Sequence, residues 1–318
     1  MQGLKKIALI FFGAGLALIS VELAGHQFPE IFHFRIRRYV YAPDSELGYV
    51  WGPRNEVRPA SSVYAVAVGD SFTRGTAALD PGAMYPPLVA KALGETVVNL
   101  GCPGYGTLQE EIVAGENLPS LKPKWLILEI FPGNDWLDNY DFTHWRLSHR
   151  EVPYELHHKI VNDGMSCEGP LYPAHVWLVG RSVLYTGVYT AVYNLWRQFG
   201  LANAWYRADS RADQIGEYQG FAAVRRLQGL CARNHVKLIV LLVRGRSAPG
   251  EMNPGYAAIR RFLNENRVEF VDPSDEFALA QRGGQELFLP DGHWNGAGQM
   301  IAARLISRKI HDERAMPR

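Results

Sequence analysis

The chain has 318 residues, with 33 Lys+Arg against 32 Asp+Glu, a formal net charge of +1, 47% hydrophobic residues and 20% charged. Those proportions exclude a disordered tail, a collagen-like repeat and a small disulfide-stapled scaffold. The near-neutral balance argues against a nucleic-acid-binding face, which needs a basic excess, and the length fits one large domain or two small ones.

The N-terminus differs in composition from the rest. Lys5 and Lys6 precede an uncharged run from Ile7 to Val21; Glu22 interrupts it, and Leu23-Ala24-Gly25 follow. This length is close to the roughly 20 residues a helix needs to cross a bilayer. The candidate cleavage sites, Glu22-Leu23-Ala24 and Leu23-Ala24-Gly25, lack a small residue at −3, and no Cys follows for a lipid anchor. Residues 1–25 are therefore expected to be an uncleaved transmembrane signal anchor, with secretion after cleavage as the alternative. Lys5 and Lys6 would stay inside, leaving the rest extracytoplasmic, periplasmic or extracellular. A buried N-terminal helix of a soluble protein is the third reading, disfavoured because an all-round apolar helix has no solvent face.

Residues 26–60 contain turn-rich stretches and read as an extended lead-in. Alternating elements then begin. Val63–Val68, Thr96–Leu100, Trp125–Phe131, Lys237–Val243 and Val268–Val271 are short apolar runs expected to be strands. Tyr85–Leu93, Thr107–Leu118, Tyr218–Asn234, Pro254–Asn266 and Asn295–His311 read as helices between and after them. Thr107 and Glu110 are spaced as a capping box. Residues 140–216 break the pattern: they are rich in Tyr, Trp and His without a clean period, and are expected to form a mostly helical insertion. Strands and amphipathic helices in alternation imply a parallel five-stranded sheet covered on both faces, spanning residues 61–312. Cys102, Cys167 and Cys231 allow at most one disulfide, fit no metal-ligand spacing, and are most simply read as buried small hydrophobes.

In such sheets, chemistry gathers at the carboxyl ends of strands. Gly69-Asp70-Ser71 follows the first predicted strand, Gly101-Cys102-Pro103-Gly104 the second and Gly133-Asn134-Asp135 the third, while Asp291-Gly292-His293 precedes the last helix. Ser71 can attack a carbonyl if a base takes its proton. His293 is the candidate base, and Asp291 could hold its tautomer. The backbone N–H of Gly104 and the Asn134 amide are candidate oxyanion donors. Asp70 and Asp135 read as acceptors that fix loops, and Trp294 as a packing residue or pocket wall. No histidine spacing suggests a metal site, and no cofactor is expected.

These four blocks, in this order, resemble the SGNH (GDSL-type) hydrolase superfamily. The resemblance implies a flavodoxin-like three-layer α/β/α fold, Ser71 as nucleophile with His293 and Asp291, and an oxyanion hole from Ser71, Gly104 and Asn134. It implies an esterase, a lipase or a carbohydrate O-acyltransferase, acting on a small acyl ester or acylated carbohydrate. The common Asp-x-x-His is shortened here to Asp-x-His followed by Trp294, a variant similar to bacterial alginate-type O-acetyltransferases. An α/β-hydrolase would need Gly at position 73, where Thr stands. A metallophosphoesterase would need His at 135, where Asp stands. A catalytically silent carbohydrate-binding module on the same fold is the reading from a different class. The aromatic residues of 140–216 could stack on sugar rings or pack a helical cap.

Overall fold

The computed structural model describes residues 2–27, 41–51, 62–75, 80–148, 150, 154, 170–179, 181–198, 211–246, 254–290 and 292–315. In chain order the elements are α1 (Gln2–Gln27), β1 (Tyr41–Asp44), β2 (Gly48–Trp51), β3 (Ala65–Val68), α2 (Ser71–Arg74), α3 (Tyr85–Leu93), β4 (Val97–Asn99), α4 (Thr107–Leu121), β5 (Trp125–Ile130) and α5 (Asp135–Ser148). They continue with α6 (Tyr172–Val179), α7 (Val183–Gln198), α8 (Ala212–Arg233), β6 (Lys237–Leu242), α9 (Pro254–Glu265), β7 (Phe270–Val271), α10 (Ser274–Arg282) and α11 (Gly296–Ala315). The chain divides into two compact units, one from residues 1–52 and 145–210, the other from 53–144 and 211–318.

The larger unit holds a five-stranded sheet in the order β4-β3-β5-β6-β7, every neighbouring pair parallel. Counted along the chain from β3 this is 2-1-3-4-5, the flavodoxin-like order. Side chains alternate across the sheet. Ala65, Ala67, Trp125, Ile127, Ile239 and Leu241 pack with Tyr85 and Val89 of α3, Phe277 of α10 and Ile301, Ala302 and Ile306 of α11. Val66, Leu126, Leu128 and Val240 point the other way and are equally buried, as are Val113 and Leu118 of α4 and Val224 and Leu227 of α8. The sheet is thus apolar on both faces, which is why its strands read as unbroken hydrophobic runs.

Several expectations need correction. The described part of the lead-in is an antiparallel hairpin, β1 with β2, not an extended strap. Its turn forms because the Asp44 carboxylate accepts the N–H groups of Glu46 and Leu47, both at 2.8 Å, and Gly48 takes φ +84°. Helix α4 starts one residue earlier than the Thr107/Glu110 box implies. Gly106 is the N-cap and donates its N–H to Gln109 Oε1 at 3.2 Å, while the buried Glu110 carboxyl has no hydrogen-bond partner among the described residues. Helix α5 runs to Ser148, into the stretch without a period, and α10 was not anticipated. Cys102 and Cys231 are both buried, and burial pushes the Cys231 thiol up to about 12. Cys167 lies outside the described residues.

In the smaller unit, α1 covers the expected anchor segment. Glu22, the charge that interrupts its apolar run, has a structural partner: the N-terminus of α7. Its carboxylate accepts the N–H of Val183 at 2.8 Å and of Leu184 at 2.9 Å, and the Ser182 hydroxyl at 3.2 Å. Four free N–H groups at a helix start make a carboxylate welcome there. Gly25 lets the helices meet, since a Cβ would sit 2.5 Å from Val183 Cγ1. Among the described residues no helix is long and apolar enough to cross a membrane, so the transmembrane expectation is not met by them; the side chains of residues 7–11 are not among those described. The described aromatic residues largely pack: Tyr154 is buried against Tyr49 and Trp145, and His175 against Tyr185 and Tyr189.

Helix α8 offers a test of the packing. At Gly216 a Cβ would fall 1.7 Å from the Trp136 carbonyl oxygen of α5; at Gly229 the nearest atom is the mobile end of Arg233, at 3.3 Å. Gly216→Ala is expected to destabilise the protein by about 3 kcal/mol through overpacking. Gly229→Ala should stabilise it by about 0.5–1 kcal/mol through helix propensity. Equilibrium urea unfolding of both variants measures the opposite signs.

Candidate active site

Strand β3 leads into a sharp turn at Gly69-Asp70 and straight into α2, whose first residue is Ser71. Asp70 is the N-cap: its carboxylate accepts the Phe72 N–H at 2.7 Å. A Cβ on residue 69 would lie 2.1 Å from Thr73 Oγ1 and 2.5 Å from Glu129 Oε2. The Gly-Asp-Ser order therefore has a local reason: only glycine fits the turn, a short carboxylate caps the helix, and the serine is left half-exposed above both.

His293 comes from the opposite end of the chain, on a hairpin-like loop before α11. Phe288 and Trp294 form a bridge pair, the Leu289 N–H reaches the His293 carbonyl at 2.7 Å, and Gly292 turns the chain at φ +93°. Trp294 is fully buried and donates its indole N–H to the Arg244 carbonyl at 3.0 Å, so it is a packing residue that pins the loop. Asn295 accepts the N–H groups of Ala297 and Gly298 and starts α11. The result places His293 Nε2 at 2.8 Å from Ser71 Oγ. The ring lies beside Phe72, centroids 4.9 Å apart. Asp291 lies outside the described residues.

The candidate oxyanion donors divide. The Cys102 N–H binds the Gly69 carbonyl at 2.9 Å, holding the loop of Gly104 against the serine turn. Gly104 has φ +80°, a conformation suited to glycine. The N–H groups of Ser71 and Gly104 donate to no described atom. Asn134 differs from the expectation: both hydrogens of its amide are taken by carboxylates, Asp70 Oδ2 at 3.2 Å and Asp138 Oδ2 at 2.8 Å. Two acids flank this amide because the turn after β3 and the start of α5 deliver them there, which the Gly-Asn-Asp motif alone does not reveal. Asp135 accepts the Phe131 N–H at 2.9 Å, the loop-fixing role expected of it.

Residues 67–301 match the GDSL-like lipase/acylhydrolase family. The chain belongs to that family. It is accordingly an enzyme acting on ester bonds, a hydrolase or an acyltransferase. No curated protein sequence matches it. Solved structures similar to it include a lipolytic protein of the G-D-S-L family from Desulfitobacterium hafniense, at 13% identity and TM-score 0.44, covering 77% of this chain and 98% of that one. Another is the acetylxylan esterase Axe2 from Geobacillus stearothermophilus, at 17% identity and TM-score 0.45, covering 81% and 98%. A GDSL-like lipase from Bacteroides thetaiotaomicron matches at 14% identity and TM-score 0.41, covering 80% and 91%. At these scores the likenesses decide nothing about substrate.

Beneath the serine, this GDSL enzyme buries residues that motif reading passes over. Thr73 Oγ1 pairs with the Tyr85 hydroxyl at 3.0 Å. Gln299 of α11 accepts the Tyr85 N–H at 2.9 Å and donates to the Phe72 carbonyl at 3.2 Å, tying α11, α3 and α2 together. Gln299 gave no signal beyond being polar on an apolar face; Glu129, the lone acid in an apolar strand, did. Among the described residues no group of three or more His, Cys, Asp or Glu is placed to hold a metal ion.

Burial lifts Asp70, Glu110, Glu129 and Asp135 above the ordinary carboxylate range, and repulsion between the acids adds to it for the last three. At Glu110, Glu129 and Asp135, which are raised furthest, the folded state thus keeps protons that the unfolded chain releases above about pH 4–4.5. Stability contributed by these groups is present below that pH and is lost as pH rises through the raised values. The melting temperature is expected to be several degrees lower at pH 8 than at pH 5.5. Glu110→Gln should lessen that drop, as read by calorimetry at the two pH values.

Proposed function

We propose that the protein is a serine esterase for carboxylic, in particular acetyl, esters carried on carbohydrate. The observation that carries this reading is the 2.8 Å contact between Ser71 Oγ and His293 Nε2 at the carboxyl end of the sheet. Ser71 Oγ attacks the acyl carbon while its proton passes to His293 Nε2, with Asp291 as the residue that orients the ring. The oxyanion forms against the N–H groups of Ser71 and Gly104. Asn134 joins them by exchanging one of its carboxylate contacts for the substrate oxygen. The alcohol leaves with the His293 proton, and His293 then deprotonates water to release the acid.

A second reading, transfer of the acyl group to a sugar hydroxyl, is favoured by the Asp291-Gly292-His293-Trp294 block. It uses the same steps with the hydroxyl in place of water. Ser71→Ala is expected to abolish turnover of p-nitrophenyl acetate, a loss of at least about a thousandfold. It should also abolish labelling by a fluorophosphonate probe. A folded wild-type protein that neither labels nor turns over would leave a binding role instead.

We also place the catalytic unit outside the cytoplasm, attached to a membrane through α1. Lys5 and Lys6 before the uncharged run support this, as do Phe12, Leu16, Ile19 and Leu23, which are exposed at four- and three-residue spacing along α1. The full chain is expected to stay with membranes through alkaline carbonate extraction, and a chain lacking residues 2–27 to be released.

A further inference from the structure

Strand β5 is apolar along its length except for Glu129, which is buried beneath the turn that carries Ser71. Glu129 Oε2 accepts the Asp70 N–H at 2.9 Å and the Thr73 hydroxyl at 3.2 Å. Those two donors flank Ser71 in sequence, so one oxygen spans the turn. The other oxygen, Oε1, is buried and no described group donates to it. An ionised carboxylate would leave that oxygen without compensation. A neutral carboxyl makes it a donor, and the Asp70 carboxylate lies within hydrogen-bond reach of the Glu129 side chain.

We propose that Glu129 is a positioning residue for the nucleophile, acting as a neutral carboxylic acid that carries the single proton of an Asp70–Glu129 pair. It accepts from the backbone on one side of Ser71 and the hydroxyl on the other, and it donates to Asp70. Asp70 is thereby left ionised and fixed, able to cap α2 at the Phe72 N–H and to hold the Asn134 amide. Glu129 itself does not touch substrate; it acts through the turn.

The groups facing the pair agree. Glu110 comes from α4, Asp135 and Asp138 from α5, Tyr85 from α3 and His293 from the loop before α11. None of these is a lysine or an arginine, so a second negative charge is disfavoured, and burial together with Asp70 raises the Glu129 carboxyl well above its usual range.

The proposal rests on Ser71 being the nucleophile, and the test separates the two. The rate on p-nitrophenyl acetate is followed against pH for wild type, Glu129→Gln and Glu129→Ala, and all three are melted at pH 5.5 and pH 8. Glutamine reproduces the neutral acid, with an oxygen to accept and an NH2 to donate. It should keep kcat/KM within about threefold of wild type with the same acid limb, whereas alanine should lower kcat about a hundredfold with little change in KM. Glu129→Gln should melt above wild type at pH 8, and the gap should shrink at pH 5.5, because glutamine removes the need to hold a proton. A glutamine variant as slow as alanine with a displaced acid limb, or one whose melting difference is equal at both pH values, would overturn the neutral-acid assignment. An alanine variant with wild-type kcat would overturn the positioning role. If wild type turns over no ester, the serine reading falls, and the melts still decide the proton.

Discussion

The turn between β3 and α2 must leave a serine hydroxyl within reach of substrate while burying the acid beside it. Asp70 is fully buried, and a buried carboxylate is tolerated only where donors surround it. The Phe72 N–H and the Asn134 amide supply them from two different segments. Gly69 is the other half of the constraint, because the space a methyl group would need is filled by Thr73 and Glu129. Most of what lies below the serine follows from that single crowded turn: Thr73 reaches Tyr85, Tyr85 takes Gln299, and Gln299 brings in α11.

Topology then explains why residues so far apart in sequence meet. In the 2-1-3-4-5 order, β3 and β5 are neighbours whose following helices leave the sheet on opposite sides, so a crevice opens at their carboxyl ends. Ser71 comes from the end of β3 and Asn134 from the end of β5. His293 is delivered by the loop into α11, a helix packed on the same core cluster as α3. The loop is held by the Phe288–Trp294 bridge, by the Trp294 indole on the Arg244 carbonyl and by Asn295 on α11, so the imidazole is placed by packing and not by the serine it meets.

The smaller unit answers a different puzzle with the same physics. A charged residue inside an apolar helix is costly unless its partners are built in. Glu22 has them, because the N-terminus of α7 presents free N–H groups at the point where Gly25 lets the two helices close. The acid that spoils the apolar pattern of α1 is therefore a docking device within that unit.

Hydrophobic runs of strand length, helical periods and the order of four short polar motifs were enough to read the parallel sheet and most helices, and to expect the side chains of Ser71 and His293 to meet. These are local signals: burial on both faces makes a strand uniformly apolar, and a strand end followed by small polar residues marks where chemistry can stand. The sequence left undecided how the buried acids share donors, because that depends on which elements converge. Asn134 reads as a free amide but is taken by Asp70 and Asp138. Thr107 and Glu110 read as a cap, but Glu110 is buried and the cap is Gly106 with Gln109. Glu129, the lone acid of an apolar strand, becomes the floor of the serine turn only once β3 and β5 lie side by side. Sequence spacing determines what a residue can do along its own element; the partners that set its charge and hydrogen bonds come from other elements, and only tertiary structure brings those within 3 Å.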